Sequence, residues 1–133
     1  MSEKQQQVDM TPGIVSWNEL STSDPAESRE FYSKLFGWCV EEMAMPNETY
    51  CFLKLGERPV GGMVQTPPED EDAPATWMPY VTVANLKDAV AKATSLGAKI
   101  CRDITPVPKM GSFAVITDPQ GAALGLWEFA EKG

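Results

Sequence analysis

One pattern occurs twice in this chain of 133 residues and constrains its fold more than any other feature. "SDPAESREFYSKLFGW" predicts a helix that is capped by Asp24 and ends at Gly37, and "NLKDAVAKATSLG" predicts one that is capped by Asn85 and ends at Gly97. The caps stand 61 residues apart and the glycines 60. A strand candidate precedes each helix and three short ones follow it. We therefore predict an α+β fold of two βαβββ modules.

Apolar side chains recur at helical spacing in both segments, which is typical of amphipathic helices. The stripes consist of Phe31, Tyr32, Leu35 and Phe36 in the first helix, and of Leu86, Ala89, Val90, Ala93 and Leu96 in the second.

An acidic stretch separates the repeats. In "PPEDEDAP" the prolines remove backbone donors and the charges repel one another, which favours a solvated linker. We predict a flexible tail over residues 1–11 and a single domain over 12–130. Within that domain, module one spans 12–66, the linker 67–74 and module two 75–130.

Charge and composition exclude several partners and locations. The net charge is −8, and nucleic acids and anionic membranes are bound through an excess of Lys and Arg that this chain lacks. No apolar run approaches the roughly 20 residues of a membrane span, and "MSEKQQQVDM" has no signal-peptide core. Three cysteines without metal-ligand spacing fit a reducing compartment. We expect a cytoplasmic protein that binds neither nucleic acid nor membrane.

Two segments carry a recognisable pattern: "SDPAESREFYSKLFGW" around the first helix, and "GSFAVITDPQGAALGLWE", a hairpin with an Asp-Pro-x-Gly turn. They resemble the first-module signature and the closing hairpin of the glyoxalase, bleomycin-resistance and extradiol-dioxygenase superfamily, whose members have the vicinal oxygen chelate fold. "WNEL", "PATWMPYVTV" and "DPQGA" are similar to a glyoxalase-like or hydroxylase-like subgroup. The resemblance covers Gly13 to Phe129. It implies a cup-shaped mixed β-sheet with the helices outside.

The resemblance also implies a divalent metal in the cup, bound by a His on the first strand of each module and by Glu near the last strand. Here these positions hold Trp17, Met78 and Gly125, and the remaining one falls near Met63 to Gln65. The chain has no histidine, so the imidazole ligands that suit Zn, Ni and Fe(II) are missing. We predict no metal and no cofactor.

Strand alternation assigns further side chains to the predicted cup. Glu19 follows Trp17 by two residues, a carboxylate that needs a partner or a raised pKa if it points inward. Glu128 falls on the opposite face from Gly125. Asp118, Pro119 and Gly121 suit a turn. The predicted ligand-binding residues are Trp17, Glu19, Met63, Gln65, Met78, Tyr80, Gly125 and Trp127.

Two classes of function remain open. In the first, the protein binds a small organic molecule without a metal, as the resemblance to bleomycin-resistance proteins implies; its acidity suits a cationic ligand. In the second, it is a metal-independent lyase, isomerase or hydroxylase-like enzyme, with Glu19 as general acid or base and Tyr80 as hydrogen-bond donor to an oxyanion. The resemblance also implies a homodimer.

Overall fold

The structure, a computed structural model, describes residues 11–44, 49–66 and 74–130. These residues form a strand, a helix and three strands, and then the same order again. The predicted α+β class and the two βαβββ modules are confirmed. The predictions of a flexible tail and a solvated linker fall almost wholly on residues 1–10 and 67–73, which lie outside the described residues.

The predicted strands and helices all form. The first repeat consists of β1 (Val15–Thr22), α1 (Pro25–Phe36), β2 (Cys39–Ala44), β3 (Thr49–Leu55) and β4 (Arg58–Gln65). The second consists of β5 (Thr76–Thr82), α2 (Leu86–Ser95), β6 (Lys99–Val107), β7 (Gly111–Thr117) and β8 (Ala123–Phe129).

The chain forms two compact units whose borders fall inside strands. Trp17–Met78 belong to the first unit, and the segment ending at Ser16 and the residues from Pro79 onward belong to the second. The borders therefore cut β1 and β5, the first strand of each repeat. In the second unit Thr82 donates its N–H to the carbonyl of Ile14 at 2.9 Å.

In the first unit the strand order is β2-β3-β4-β1, with β1 and β4 parallel and the other pairs antiparallel. Asp24 accepts a hydrogen bond from the Glu27 N–H at 3.1 Å, and Gly37 ends α1 in the left-handed region at φ 79°. The helix contacts β2 and β4. Leu20, Leu53 and Met63 form the buried core on the helix side of the sheet.

In the second unit the order is β5-β8-β7-β6, again with one parallel pair, β5 and β8. Asn85 caps α2 by accepting from the Asp88 N–H at 2.9 Å. Glu128 accepts from the Leu86 N–H at 2.6 Å, so it lies on the helix side, as predicted. The buried core consists of Leu86, Val90, Ala114, Ile116 and Leu126.

The two apolar helix stripes have different surroundings. In α2, Leu86 and Val90 are buried, while Leu96 at the end of the stripe is 68% exposed. In α1 every residue is exposed or half-buried, and Phe31 is 56% exposed. The side chain of Tyr32 instead stacks on the ring of Trp38 at 5.5 Å between centroids.

Candidate functional site

In each unit the four strands have a face that carries the core and the helix, and a face away from the helix, which we call the distal face. Paired residues in register share a face. In the first unit Leu20 pairs with Met63, and both lie in the core. Glu19 pairs with Gly62, which pairs in turn with Phe52. The row through Glu19 therefore lies on the distal face.

Three aromatic side chains contact one another on this face. The indole Nε1–H of Trp17 donates to the hydroxyl of Tyr50 at 2.9 Å. The rings of Trp17 and Phe52 meet edge to face at 6.2 Å between centroids, and those of Tyr50 and Phe52 at 5.1 Å. All three are half-buried. Sequence reasoning identified Trp17 but missed Tyr50 and Phe52, although their spacing of two residues in "TYCFLKL" was a usable signal.

Gly62 makes this arrangement possible. A Cβ atom at this position would overlap the hydroxyl and ring of Tyr50, so any larger residue would displace that ring. Glu19, paired with Gly62, is half-buried beside the aromatic group. The distal face of the first unit thus presents aromatic rings and a carboxylate, a combination typical of small-molecule pockets.

Two other predicted residues of this unit, Met63 and Gln65, lie on the face opposite to the predicted one. Met63 is 1% exposed and lies in the core with Leu20 and Leu53, on the opposite face from Glu19. Gln65 pairs with Thr22 and is exposed on the same side as Met63. The predicted side of β4 is thus reversed, and Gly62 and Val64 lie on the distal face instead. Met78 is half-buried, and alternation along β5 directs it away from the face of Trp77.

The second unit brings Tyr80, Gly125 and Trp127 onto one face, its distal face. Tyr80 pairs with Gly125, and Trp127 with Phe113, while Leu126 between them lies in the core. A Cβ atom at Gly125 would overlap the Tyr80 ring. That ring, 5% exposed, fills the space above the glycine and meets the ring of Phe113 edge to face at 6.2 Å.

An arginine that sequence reasoning missed lies on the same distal face. Arg102 pairs with Val115, which pairs with Gly125. Its guanidinium carbon lies 5.0 Å from the centroid of the Phe113 ring, within the range of a cation–π interaction. The register of β6 shifts on both sides of Arg102. Such bulges redirect side chains and cannot be located from sequence alone.

Two acidic candidates have structural roles. The Asp118 carboxylate accepts from the N–H groups of Gln120 at 2.8 Å and Ala122 at 3.0 Å, and Gly121 adopts φ +91°. The predicted turn-forming role is confirmed. The Glu128 carboxylate caps α2, as described above.

The residues at the positions that bind a metal in this superfamily are not suited to an ion here. Trp17 offers an indole N–H, which is a donor, and Tyr50 accepts from it. Gly125 has no side chain, and the ring of Tyr80 occupies the space above it. Within residues 11–44, 49–66 and 74–130, no three Cys, Asp or Glu side chains lie close enough together to hold an ion.

Two electrostatic features lie on the outer strands of the first unit. Lys54 Nζ donates to Glu41 Oε1 at 2.6 Å, and this hydrogen bond raises the pKa of the Lys54 ammonium. Burial, followed by the charge of Glu42, raises the pKa of the Cys51 thiol. Cys51 is thus held in its neutral form, unlike a reactive cysteine.

Comparisons with known proteins agree with this architecture. Over 119 residues the chain is 30% identical to CFP32 of Mycobacterium tuberculosis, which carries the name of a glyoxylase; the match covers 87% of this chain and 46% of that protein. Over 129 residues it is 26% identical to the anthracycline biosynthesis protein DnrV of Streptomyces peucetius, covering 87% and 47%. The chain thus spans about half the length of these curated relatives.

Solved structures extend the comparison to the fold. A variant of Streptomyces coelicolor methylmalonyl-CoA epimerase, in complex with 2-nitronate-propionyl-CoA, superposes with a TM-score of 0.67 at 13% identity. The match covers 91% of this chain and 100% of the epimerase chain. At this identity the likeness concerns the fold alone.

Two further findings complete the assignment. Among the helices of the described residues, neither is both long and apolar enough to cross a membrane. The family model of the glyoxalase-like domain matches residues 17–126, which include nearly all of both repeats. The chain belongs to the glyoxalase-like domain family, within the superfamily that its two helix and hairpin motifs resemble.

Proposed function

We propose that this protein binds a small, partly aromatic organic molecule without a metal, and that the distal face of the first unit supplies the polar anchor. The observation that carries the proposal is the contact group of Trp17, Tyr50 and Phe52 beside the half-buried carboxylate of Glu19. Aromatic faces attract both planar rings and cations, and a partly desolvated carboxylate favours a cation or hydrogen-bond donor.

Each aromatic residue has a separate part in this proposal. Trp17 supplies the surface against which the ligand packs, and its N–H bond to Tyr50 fixes the orientation of the indole. Phe52 supports the indole from its edge. The complex of the related fold with an acyl-CoA analogue supports a small-molecule role.

A thermal-shift screen against cationic aromatic compounds, planar drugs and small keto acids tests the proposal, because a ligand that binds only the folded state raises Tm. Glu19→Gln should weaken a cationic hit by about 1–3 kcal/mol, the usual contribution of a charge-assisted hydrogen bond. Glu57→Gln is the matched control, since Glu57 is exposed in the turn after β3. Equal shifts in wild type and Glu19→Gln would remove Glu19 as the anchor.

A second variant separates the aromatic surface from its hydrogen bond. Trp17→Phe keeps an aromatic ring but loses the N–H donor to Tyr50, whereas Trp17→Ala removes the surface altogether. We expect a graded loss of affinity, smaller for Phe than for Ala. A ligand that binds all three proteins equally would not be using this face.

The same screen decides between binding and catalysis. A hit that wild type converts and Glu19→Gln only binds would replace the binding role with that of a metal-independent enzyme in which Glu19 acts as general acid or base. Activity that appears only after addition of Zn, Ni or Fe(II) and disappears with a chelator would contradict the metal-free proposal.

A homodimer is part of the proposal, formed through the exposed stripe of α1. Phe31, Leu35 and Phe36 are 56%, 56% and 51% exposed. A group of exposed apolar side chains on one helix is more typical of an interface than single scattered ones are. The curated relatives are about twice as long as the matched region, which leaves room in them for a second domain of this size. A second copy of this chain is therefore the partner we propose. Sedimentation should show a dimer at micromolar concentration that Leu35→Glu dissociates; a wild-type monomer would contradict it.

The cytoplasmic location also remains part of the proposal. Cys39, Cys51 and Cys101 are all free thiols, which suits a reducing compartment.

A further inference from the structure

We propose that the distal face of the second unit binds the carboxylate of a small aromatic acid, with Arg102 as the residue that recognises the anion. This site goes beyond the proposed function above and uses none of the residues of its anchor. The proposal rests on the aromatic contact of Arg102, on its position in the sheet, and on the lack of an ion pair to it within residues 11–44, 49–66 and 74–130.

The guanidinium lies over an aromatic ring. Its carbon lies 5.0 Å from the ring centroid of Phe113, and Phe113 is held in turn by an edge-to-face contact with Tyr80. A guanidinium on a ring face keeps its N–H donors directed outward in its own plane, where they match the two oxygens of a carboxylate. A side chain that keeps this contact on binding loses less rotamer entropy than a free one.

The sheet places apolar surface next to this cation. One row of paired residues crosses the second unit through Tyr80, Gly125, Val115 and Arg102. The neighbouring row contains Phe113 and Trp127. An aromatic acid can therefore lay its ring on this surface while its carboxylate meets Arg102, which is exposed at the end of the row.

The corresponding row of the first unit shows that the charge is not a structural requirement. There the row ends on β2 at Glu41, whose carboxylate is paired with Lys54 at 2.6 Å. Within residues 11–44, 49–66 and 74–130, Arg102 makes no such ion pair; the neighbouring Asp103 carboxylate bonds to the Ile104 N–H at 2.8 Å. Within these residues the guanidinium is therefore available to the carboxylate of a ligand.

The register shifts on both sides of Arg102 also support a binding role for this residue. The pairing of β6 with β7 is irregular between Ile100 and Arg102 and again between Arg102 and Thr105. Bulges of this kind aim a side chain and are frequent beside binding sites. Here they leave Arg102 paired in register with Val115, so that it lies in the distal row.

The experiment is an NMR titration of ¹⁵N-labelled protein with 3-phenylpropionate, and with 3-phenylpropionamide as the uncharged counterpart. We expect saturable shifts of β6, β7 and β8 amides with the acid and weaker binding of the amide. Arg102→Gln should lose roughly tenfold or more in affinity for the acid and little for the amide, because a charge-assisted bond is removed. Arg102→Lys should fall between, since it keeps the charge and loses the planar fork.

The matched control is Arg58→Gln, an exposed arginine at the start of β4, which should bind the acid as wild type does. Phe113→Leu keeps an apolar side chain at this position but removes the ring under the guanidinium, and should weaken the acid more than the amide. Three results would overturn the proposal: no saturable binding, equal affinity of wild type and Arg102→Gln, or tighter binding of phenyl phosphate than of the carboxylate. None of these depends on Glu19, so failure here leaves the first site untouched.

Discussion

The first and second units share one topology and differ in how they use their helix. In the second unit α2 buries Leu86 and Val90 against aliphatic residues of β7 and β8. In the first unit the core is formed by Leu20, Leu53 and Met63, and α1 contributes mainly Tyr32 at its edge. A βαβββ repeat therefore does not need a buried helix stripe to form its core.

The units differ also on their distal faces. Each has a glycine opposite the first strand, Gly62 or Gly125, and a tyrosine ring covers each glycine. In the first unit that ring comes from Tyr50 on β3, which leaves the β1 position to the carboxylate of Glu19. In the second unit the ring is the β5 residue itself, Tyr80. The same backbone pattern thus yields an acidic aromatic face in one unit and a basic aromatic face in the other.

The largest expected difference lies in the helices. Leu86→Ala should destabilise the protein by about 2–5 kcal/mol, because Leu86 is 2% exposed and its loss leaves a cavity. Leu35→Ala, on the exposed stripe of α1, should change the free energy of unfolding by no more than about 0.5 kcal/mol in dilute monomer. Urea denaturation measures both. Equal losses would mean that α1 is packed as tightly as α2.

The two glycines give the next difference. Gly125→Ala should cost about 1–3 kcal/mol, because the new methyl group meets the buried ring of Tyr80. Gly62→Ala should cost less, since it first meets the hydroxyl end of the half-buried Tyr50 side chain, which can move.

A double variant checks the cause of the Gly125 effect. Tyr80→Val removes the ring, so adding it to Gly125→Ala should cost less than the sum of the two single changes. Strict additivity would show that the glycine is needed for another reason.

The sequence predicted the order of elements because the relevant signals are local. Asp24, Gly37, Asn85 and the Asp118 turn each act within a few residues, through a side-chain bond to a nearby N–H or a left-handed φ. Counting by two also placed Tyr80, Gly125 and Trp127 on one face. Gly125 and Trp127 lie two residues apart on β8, and Tyr80 pairs in register with Gly125.

The rest of the site depended on information that is not local. The sequence does not show which alternate residues of β4 face the core. "PVGGMVQ" places two glycines between apolar residues, so either choice of face would bury apolar atoms. Met63 was consequently assigned to the wrong face. Arg102 was missed because its orientation depends on register shifts in β6 that have no turn residue to mark them.

A smaller effect concerns the helix caps. Besides Asn85, α2 has the Glu128 carboxylate on its first N–H, at 2.6 Å. Glu128→Ala should cost about 1 kcal/mol, a typical cap contribution, whereas Glu128→Gln keeps an acceptor oxygen and should cost less. Asp24→Ala offers the matched change in the first unit. If the Glu128→Ala and wild-type denaturation midpoints coincide, the second cap contributes nothing.

The smallest effect is kinetic and concerns the thiols. Because burial and the Glu42 carboxylate raise the pKa of Cys51, its thiolate fraction at a given pH is reduced, and thiolate is the reacting species. Cys39 and Cys101 are exposed, one on an outer strand of each unit. In three variants that each retain one cysteine, Cys51 should react most slowly with a thiol reagent at about pH 8, and its rate should continue to rise at higher pH than that of an ordinary thiol. Equal rates for all three would show that neither burial nor the Glu42 carboxylate protects the Cys51 thiol.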